Sequence, residues 1–326
     1  MSTHTSNYME ASKRAVAEEM RRDAGVWCVG EDLGRGGVFG QYKGLVEEFG
    51  PDRISDAPIS EACIMGAAVG AAMMGTRPLV EMRFSDFALC AVDELVNQAA
   101  KARFMFGGQA TVPLVAREPI GMWRSSAAQH SQSLESWYTH IPGLVVVCPS
   151  TPLDNYLLLK AAIRCNDPVV YMEHKNLWGL EGPLPDEEPD DDAIMSSLGT
   201  AKVVREGGDI TLVSWSAAVH ECVAAAGPLA EQGVDAEVID LRSLWPWDKA
   251  AVFASVRKTG RLLVVHESVA VGGFGAEVAA SVAEHCHGDL KAPVKRLGAP
   301  RSPIAYAPNL EDAVRVTSTM ITEAAL

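Results

Sequence analysis

Apolar residues along this chain alternate between two spacings. Short segments with an apolar centre lie at residues 26–30 (VWCVG), 77–82, 112–117, 144–148 and 167–173, and later at 209–215, 235–240 and 261–266. Runs of that length, rich in Val, Leu and Ile, predict strands buried on both faces. Between them, apolar positions recur at helical spacing. Residues 8–23 predict an amphipathic helix, with Met9, Ala15 and Met20 set among Glu, Lys and Arg. A helical patch at 42–49 and a short extended segment at 53–56 follow. A helix is predicted over 86–106, ending at Gly107 and Gly108. Further helices are expected from Pro152, over 217–232, over 248–259, and from the glycines at 272–275 to about 285. Strands alternating with helices predict an α/β fold with mostly parallel sheets covered on both sides. In such sheets chemistry sits in the loops beyond the strand C-termini.

One stretch breaks the amphipathic rule. Residues 57–82 (APISEACIMGAAVGAAMMGTRPLVEM) open with Pro58 and Ser60, good helix-start residues, and with Glu61 in the first turn. From Ala62 to Met74 there is no charge at all. A helix apolar all round is expected to be buried. Glu61 then stands at the mouth of an apolar helix, either as a dipole-compensating carboxylate or as a desolvated acid with a catalytic task.

Residues 182–197 begin GPLPDEEPDDD, too rich in Pro and acids to form a core, and predict a linker. The chain thus divides into a first domain at 1–181, an acidic linker at 182–197 and a smaller domain at 198–326. The formal charge of −14 and pI of about 5.0 argue against nucleic acid or an anionic membrane as partner. Seven cysteines without a C-x-x-C read as buried thiols of a cytoplasmic protein. The start of the chain lacks the apolar core of a signal peptide, and the run 62–74 is too short and Gly-rich to span a bilayer.

The residue types leave Glu61, Glu31, His130, Glu81 and the pair His266-Glu267 as candidates for chemistry. The glycine-rich loop at 31–40 does not fit G-x-G-x-x-G, and no P-loop is present. No G-x-S-x-G supports a serine hydrolase, and His and Cys lack metal-ligand spacing. Residues alone give a two-domain α/β enzyme with an acid at a helix mouth and a loop histidine.

Four segments go further: GEDLGRGGVFGQYKGLVEEFGPDRISDAPISE, EMRFSDFALCAVDELVNQAAKARFMFGGQ, QHSQSLESWYTHIPGLVVVCPSTPLDN and AAIRCNDPVVYMEHK. They closely resemble the β subunit of thiamine-diphosphate-dependent 2-oxo acid dehydrogenase E1 components, the group that includes the pyruvate, branched-chain and acetoin enzymes. Residues 199–310, with EVIDLRSLWPWD and SVRKTGRLLVVHES, resemble that family's transketolase-like C-terminal domain. The resemblance implies a pyrimidine-binding domain followed by that C-terminal domain. Glu61 would share a proton with N1′ of the cofactor's aminopyrimidine, so that the ring's own 4′-imine takes the proton from thiazolium C2. Phe87 would pack on the pyrimidine, with Ile59 and Glu31 also at the cofactor. His130 would steer protons and acyl transfer to a lipoyl group. A potassium ion would be held by Leu114, Ala162, Ile163, Cys165 and Asp167, with Cys165 replacing a common acidic residue. Arg83, where an uncharged residue is usual, and Arg124, in a loop that is often Gly-rich, are further departures.

The GDG-type motif with a downstream Asn, which holds magnesium and the diphosphate, does not occur. The resemblance therefore implies an α subunit carrying that half of the site and the Mg2+, in an α2β2 heterotetramer that serves a lipoyl-bearing E2. A split transketolase and a non-catalytic E2-docking scaffold are the rival readings. The QHSQ loop and the IDLRSL run favour the E1 β subunit over the first, and retention of Glu61, Phe87 and His130 speaks against the second.

Overall fold

The structure is a computed structural model that describes residues 2–326. It divides into two units: residues 1–120 with 137–198, and residues 121–136 with 199–326.

The first unit is built on a parallel sheet. Its strands run in the order Val145–Val147, Val169–Tyr171, Val115–Arg117, Arg77–Glu81, Val26–Gly30, Ile54–Asp56. Each is short and apolar, as expected where helices cover both faces. One cover is Tyr8–Arg22 against Pro152–Arg164, with Ala15, Met20, Tyr156 and Leu159 fully buried between helix and sheet. Asn7 caps the first of these helices through Glu10 N, and Thr151 caps the second through Asp154 N. The region expected as one helix over 86–106 is broken. A turn at Ser85–Ala88 leads through a π-helical stretch, Glu94–Ala99, into Ala100–Met105.

The helix at Glu61–Met73 departs from expectation. It buries Ile64, Met65, Ala68, Val69 and Ala72, but Ala62, Cys63, Ala67, Gly70 and Met73 are exposed. Ile59 just before it is 78% exposed and Met74 just after it is 86% exposed. A helix apolar all round needs cover on two sides, and this chain supplies one. The cysteine reading changes with it. All seven are free thiols, but Cys63 and Cys90 are exposed rather than buried.

The acidic stretch is ordered on the first unit. Glu181–Pro185 pairs antiparallel with Thr3–Asn7, and Leu184 is buried. Asp190 caps the short helix Asp191–Met195. The helix Pro152–Arg164 supplies the cations that composition alone could not assign. Lys160 pairs with Glu188 at 2.9 Å, and Arg164 with Glu188 at 2.7 Å and Asp191 at 2.6 Å.

The second unit has its own sheet, in the order Lys295–Ala299, Leu262–Val269, Ile210–Ser214, Ala236–Asp240, Lys202–Arg205; only the last is antiparallel. Helices Ala218–Glu231 and Ser318–Ala325 cover one face through Cys222, Ala225, Leu229 and Ile321. The strand Lys202–Arg205 and the elements after residue 290 had no counterpart among the sequence expectations. Among the described residues, no helix is long and apolar enough to cross a membrane.

Candidate active site

Parallel strands bring their C-terminal ends to one edge. Gly30 pairs with Asp56 on one side and with Glu81 on the other. A Cβ at Gly30 would lie 2.8 Å from the Glu81 carbonyl oxygen, so only glycine lets the chain leave the sheet here. Ala57 N donates to Gly30 O at 2.8 Å, which holds the turn into Glu61 beside the start of the Glu31 loop.

Glu61 is the first residue of its helix and is half-buried. The helix start is closed by the backbone bond from Ile64 N to Ser60 O at 2.9 Å, with no capping side chain on Ser60. Glu61 is therefore not spent on capping. Glu31 lies near enough for the two carboxylates to repel. Burial pushes the Glu31 carboxyl up, Arg83 opposes that, and the charges of Glu61 and Asp32 add to it. Arg83 sits at φ 59°, in the left-handed region, and pairs with Glu31 at 3.2 Å and with Asp32. The guanidinium that departs from the family pattern is thus committed to two neighbouring acids.

Phe87 belongs to an aromatic group at the same edge. It meets Phe84 edge-on at 5.3 Å; Phe84 contacts Phe39 at 6.0 Å, and Phe39 contacts Trp178 at 4.7 Å. Lys175 lies 4.4 Å over the Phe84 ring. Glu61, Glu31, Ile59 and Phe87 all belong to this first unit.

Glu81 has a different job. It is buried, accepts from the Tyr42 hydroxyl at 2.9 Å and lies 3.4 Å from Arg117. Arg117 also reaches Glu173 at 2.5 Å and donates to Ser12 at 3.1 Å. Asn155 donates to Glu173 at 2.8 Å and accepts from the Tyr171 hydroxyl at 2.8 Å. Burial pushes the Glu81 carboxyl up and Arg117 pulls it back. This acid–guanidinium–acid set ties three strands together. Sequence reading missed Arg117 and Glu173, whose only signal is a charge closing an apolar run.

Next to Arg117, Glu118 is fully buried, and its carboxyl is pushed up to about 8 by that burial, with the Tyr138 hydroxyl opposing it. Its folded pKa is raised above the unfolded value, so the folded chain binds the extra proton between about pH 4.3 and 8. Stability falls as pH rises through that window. Glu118→Gln is expected to remove a slope of up to about 1.4 kcal/mol per pH unit. Unfolding midpoints measured from pH 5 to 8 check this, and an unchanged slope would count against it.

His130 lies in the segment that belongs to the second unit, in a turn where its N donates to Ala127 O at 3.3 Å. The carbonyl set expected for potassium lies partly at the end of the helix Pro152–Arg164. There Arg77 donates to Ile163 O at 3.0 Å and Cys165 O at 3.0 Å. Asp167 pairs with Arg103 at 2.6 Å, and Leu114 O accepts from Val169 N at 2.8 Å. Among the described residues, no three His, Cys, Asp or Glu are grouped as metal ligands.

Comparison with known proteins divides the chain in two as well, but it assigns residues 121–136, which belong to the second unit, to the first match. Residues 4–179 match the transketolase pyrimidine binding domain and residues 199–321 the transketolase C-terminal domain. The acetoin:2,6-dichlorophenolindophenol oxidoreductase subunit beta of Cupriavidus necator is 44% identical, over 97% of this chain and 95% of its own. The 2-oxoisovalerate dehydrogenase subunit beta of Bacillus subtilis is 44% identical over 94% and 93%. The mitochondrial pyruvate dehydrogenase E1 component subunit beta of Dictyostelium discoideum is 42% identical over 97% and 89%. A split gene transketolase, solved as an inactive beta4 tetramer, shares the fold at a TM-score of 0.79 and 21% identity, covering 97% and 95%. A carboxylate opening an apolar helix at a parallel-sheet edge, carried on a chain with these relatives along its whole length, places the protein in the E1 β-subunit family of the 2-oxo acid and acetoin dehydrogenases, enzymes that use thiamine diphosphate.

Proposed function

We propose that this chain lends Glu61 to a thiamine diphosphate site completed by an E1 α subunit, and that the assembled α2β2 enzyme decarboxylates a small 2-oxo acid or cleaves acetoin. One observation carries the reading: the apolar helix that starts at Glu61 is covered on one side only, and the bare side begins at the acid itself. A bare stripe of small residues and Met beside a half-buried carboxylate is what a subunit interface with a shared site needs. The relatives named above are each called a β subunit.

The residues present suit the pyrimidine half of the cofactor. A carboxyl at the open helix mouth suits a ring nitrogen that shares a proton, and the half-buried Phe87 suits the ring face. Thiamine diphosphate, when bound, supplies an electron sink for the pair left behind when the bond beside a carbonyl breaks. Glu61 holds a proton at N1′ of the aminopyrimidine. Arg83 fixes Glu31 and Asp32, so that two further acids at the sheet edge keep one arrangement. Ile59 excludes water at the turn once the partner covers it. His130 is the residue that handles protons during acyl transfer to the lipoyl group of an E2. Magnesium belongs with the diphosphate on the α subunit. A potassium ion would share the oxygens of Ile163 and Cys165 with Arg77, since each carbonyl keeps a second lone pair.

The test is reconstitution. Purified chain alone is expected to show neither tight thiamine diphosphate binding with magnesium nor decarboxylation, and both should appear on co-expression with its α subunit. Tight binding and turnover by the chain alone would overturn the reading.

A further inference from the structure

Glu267 has no part in the reading above, yet it is built into the loop that carries His130. It lies in the strand Leu262–Val269, and its Oε1 accepts from Met122 N at 2.8 Å and from the Ser133 hydroxyl at 3.4 Å. Met122 and Ser133 are the two ends of the segment that contains Trp123, Arg124 and His130. The neck is closed by Gly121 N donating to Gln132 O at 3.3 Å. On the other side of the same residue, Arg315 donates to Met122 O at 3.4 Å. One backbone position is thus gripped by an acid at its N–H and a guanidinium at its carbonyl. Just past the far end, Trp215 Nε1 donates to buried Glu135 at 3.1 Å, and the Trp215 ring stacks on His266 at 5.2 Å.

Between these anchors the loop takes a costly path. Arg124, Ser125 and Ala127 lie at φ 46°, 57° and 64°, a region that L side chains rarely adopt. Such a path persists only where its surroundings over-determine it. Within the loop, Ser126 donates to Trp123 O from its N at 3.1 Å and also from its hydroxyl, and His130 N donates to Ala127 O at 3.3 Å. The grip at the two ends comes from the second unit's own strand and helices.

We propose that Glu267 is a positioning residue for His130: by binding both ends of the 122–133 loop through one carboxylate oxygen, it fixes where the imidazole stands. The inference rests on the reading of His130 as the acyl-transfer residue. A carboxylate suits the task, because hydrogen bonds to an ionised acceptor are about twice as strong as neutral ones.

The test uses the co-expressed α/β enzyme with Glu267→Ala, Glu267→Gln and His130→Gln. Two readouts are taken: reductive acylation of a lipoyl domain against dye-coupled decarboxylation, and the rate of tryptic cleavage at Arg124. Glu267→Ala is expected to slow acylation by about tenfold to a hundredfold, the scale of an ångström-sized misplacement. Cleavage at Arg124 should speed up in parallel, with KM for the oxo acid nearly unchanged. Glu267→Gln, which keeps the acceptor oxygen, should restore most of both and guards against a folding failure in the alanine variant. Adding Glu267→Ala to His130→Gln should cost little more acylation than His130→Gln alone. Full acylation by His130→Gln would defeat the reading of His130, and the proteolysis readout would then judge Glu267 by itself. Wild-type cleavage at Arg124 in Glu267→Ala, or equal loss in both half-reactions, would overturn the proposal.

Discussion

Replacing Glu61 with Gln is expected to abolish decarboxylation by the assembled α/β enzyme while leaving the chain folded. The substitution keeps size and shape and removes only the proton-holding carboxylate. Its structural cost is small because the helix Glu61–Met73 starts on a backbone bond, Ile64 N to Ser60 O, and not on the Glu61 side chain. The charge of this half-buried carboxylate contributes a helix-dipole effect of at most about 2 kcal/mol. Loss of a positioned proton-transfer group costs about a hundredfold to ten-thousandfold in rate. Stability and activity should therefore separate cleanly. Oxo acid-dependent dye reduction gives the rate, and the thermal midpoint of the same preparation gives the stability. Near-normal turnover by Glu61→Gln would refute the assigned role. A comparable loss from Glu81→Gln with the midpoint unchanged would mean that the wrong acid of this sheet edge has been chosen.

The distinction between those two acids shows what the chain reveals before it is folded. Both stand at an apolar element's end, and sequence reading could nominate either. The strands were legible because buried parallel strands need long apolar runs, and VWCVG and RPLVE carry that demand openly. Glu61 stood out because a lone acid precedes an uncharged stretch, a pattern that a helix-dipole carboxylate shares, and the structure sets it half-buried at the first position of the helix. Arg117 was not, because a cation after an apolar run looks like a strand leaving the core. Only the register of three neighbouring strands, Glu81 against Arg117 against Tyr171, brings the partners together. The same holds for residues 182–197. Composition alone marks them as solvated, and the cations that order them, Lys160 and Arg164, sit on a helix read as ordinary. The helix after Glu61 misled in another way. Its composition predicts burial all round, whereas this chain buries Ile64, Met65, Ala68, Val69 and Ala72 and leaves the other side bare, the side that the proposed function gives to the α subunit.

Arg117→Met should be the most destabilising single change in the first unit. Arg117 is 1% exposed, and its guanidinium answers two carboxylates that are themselves buried. Methionine fills similar space without the charge, so the loss is electrostatic and not a cavity. Removing one partner of a buried ion pair costs about 3–5 kcal/mol, because the remaining charge loses its compensation. Ser12, Tyr42 and Asn155 remain as donors, but neutral hydrogen bonds do not replace a cation beside two acids. The defect should depend on pH in a fixed direction. Burial already raises Glu81 and Arg117 holds it down, so the Glu81 carboxyl of the folded variant moves further up. A folded pKa above the unfolded one gives stability that is present in acid and lost as pH rises. The deficit of Arg117→Met is therefore small near pH 5 and grows towards pH 8. Glu173→Gln on top of Arg117→Met should recover part of it by removing one stranded charge. Urea unfolding at pH 5 and pH 8, followed by tryptophan fluorescence, measures both effects. A variant that matches the parent at pH 8 would show that the acid–guanidinium–acid set does not hold these three strands together.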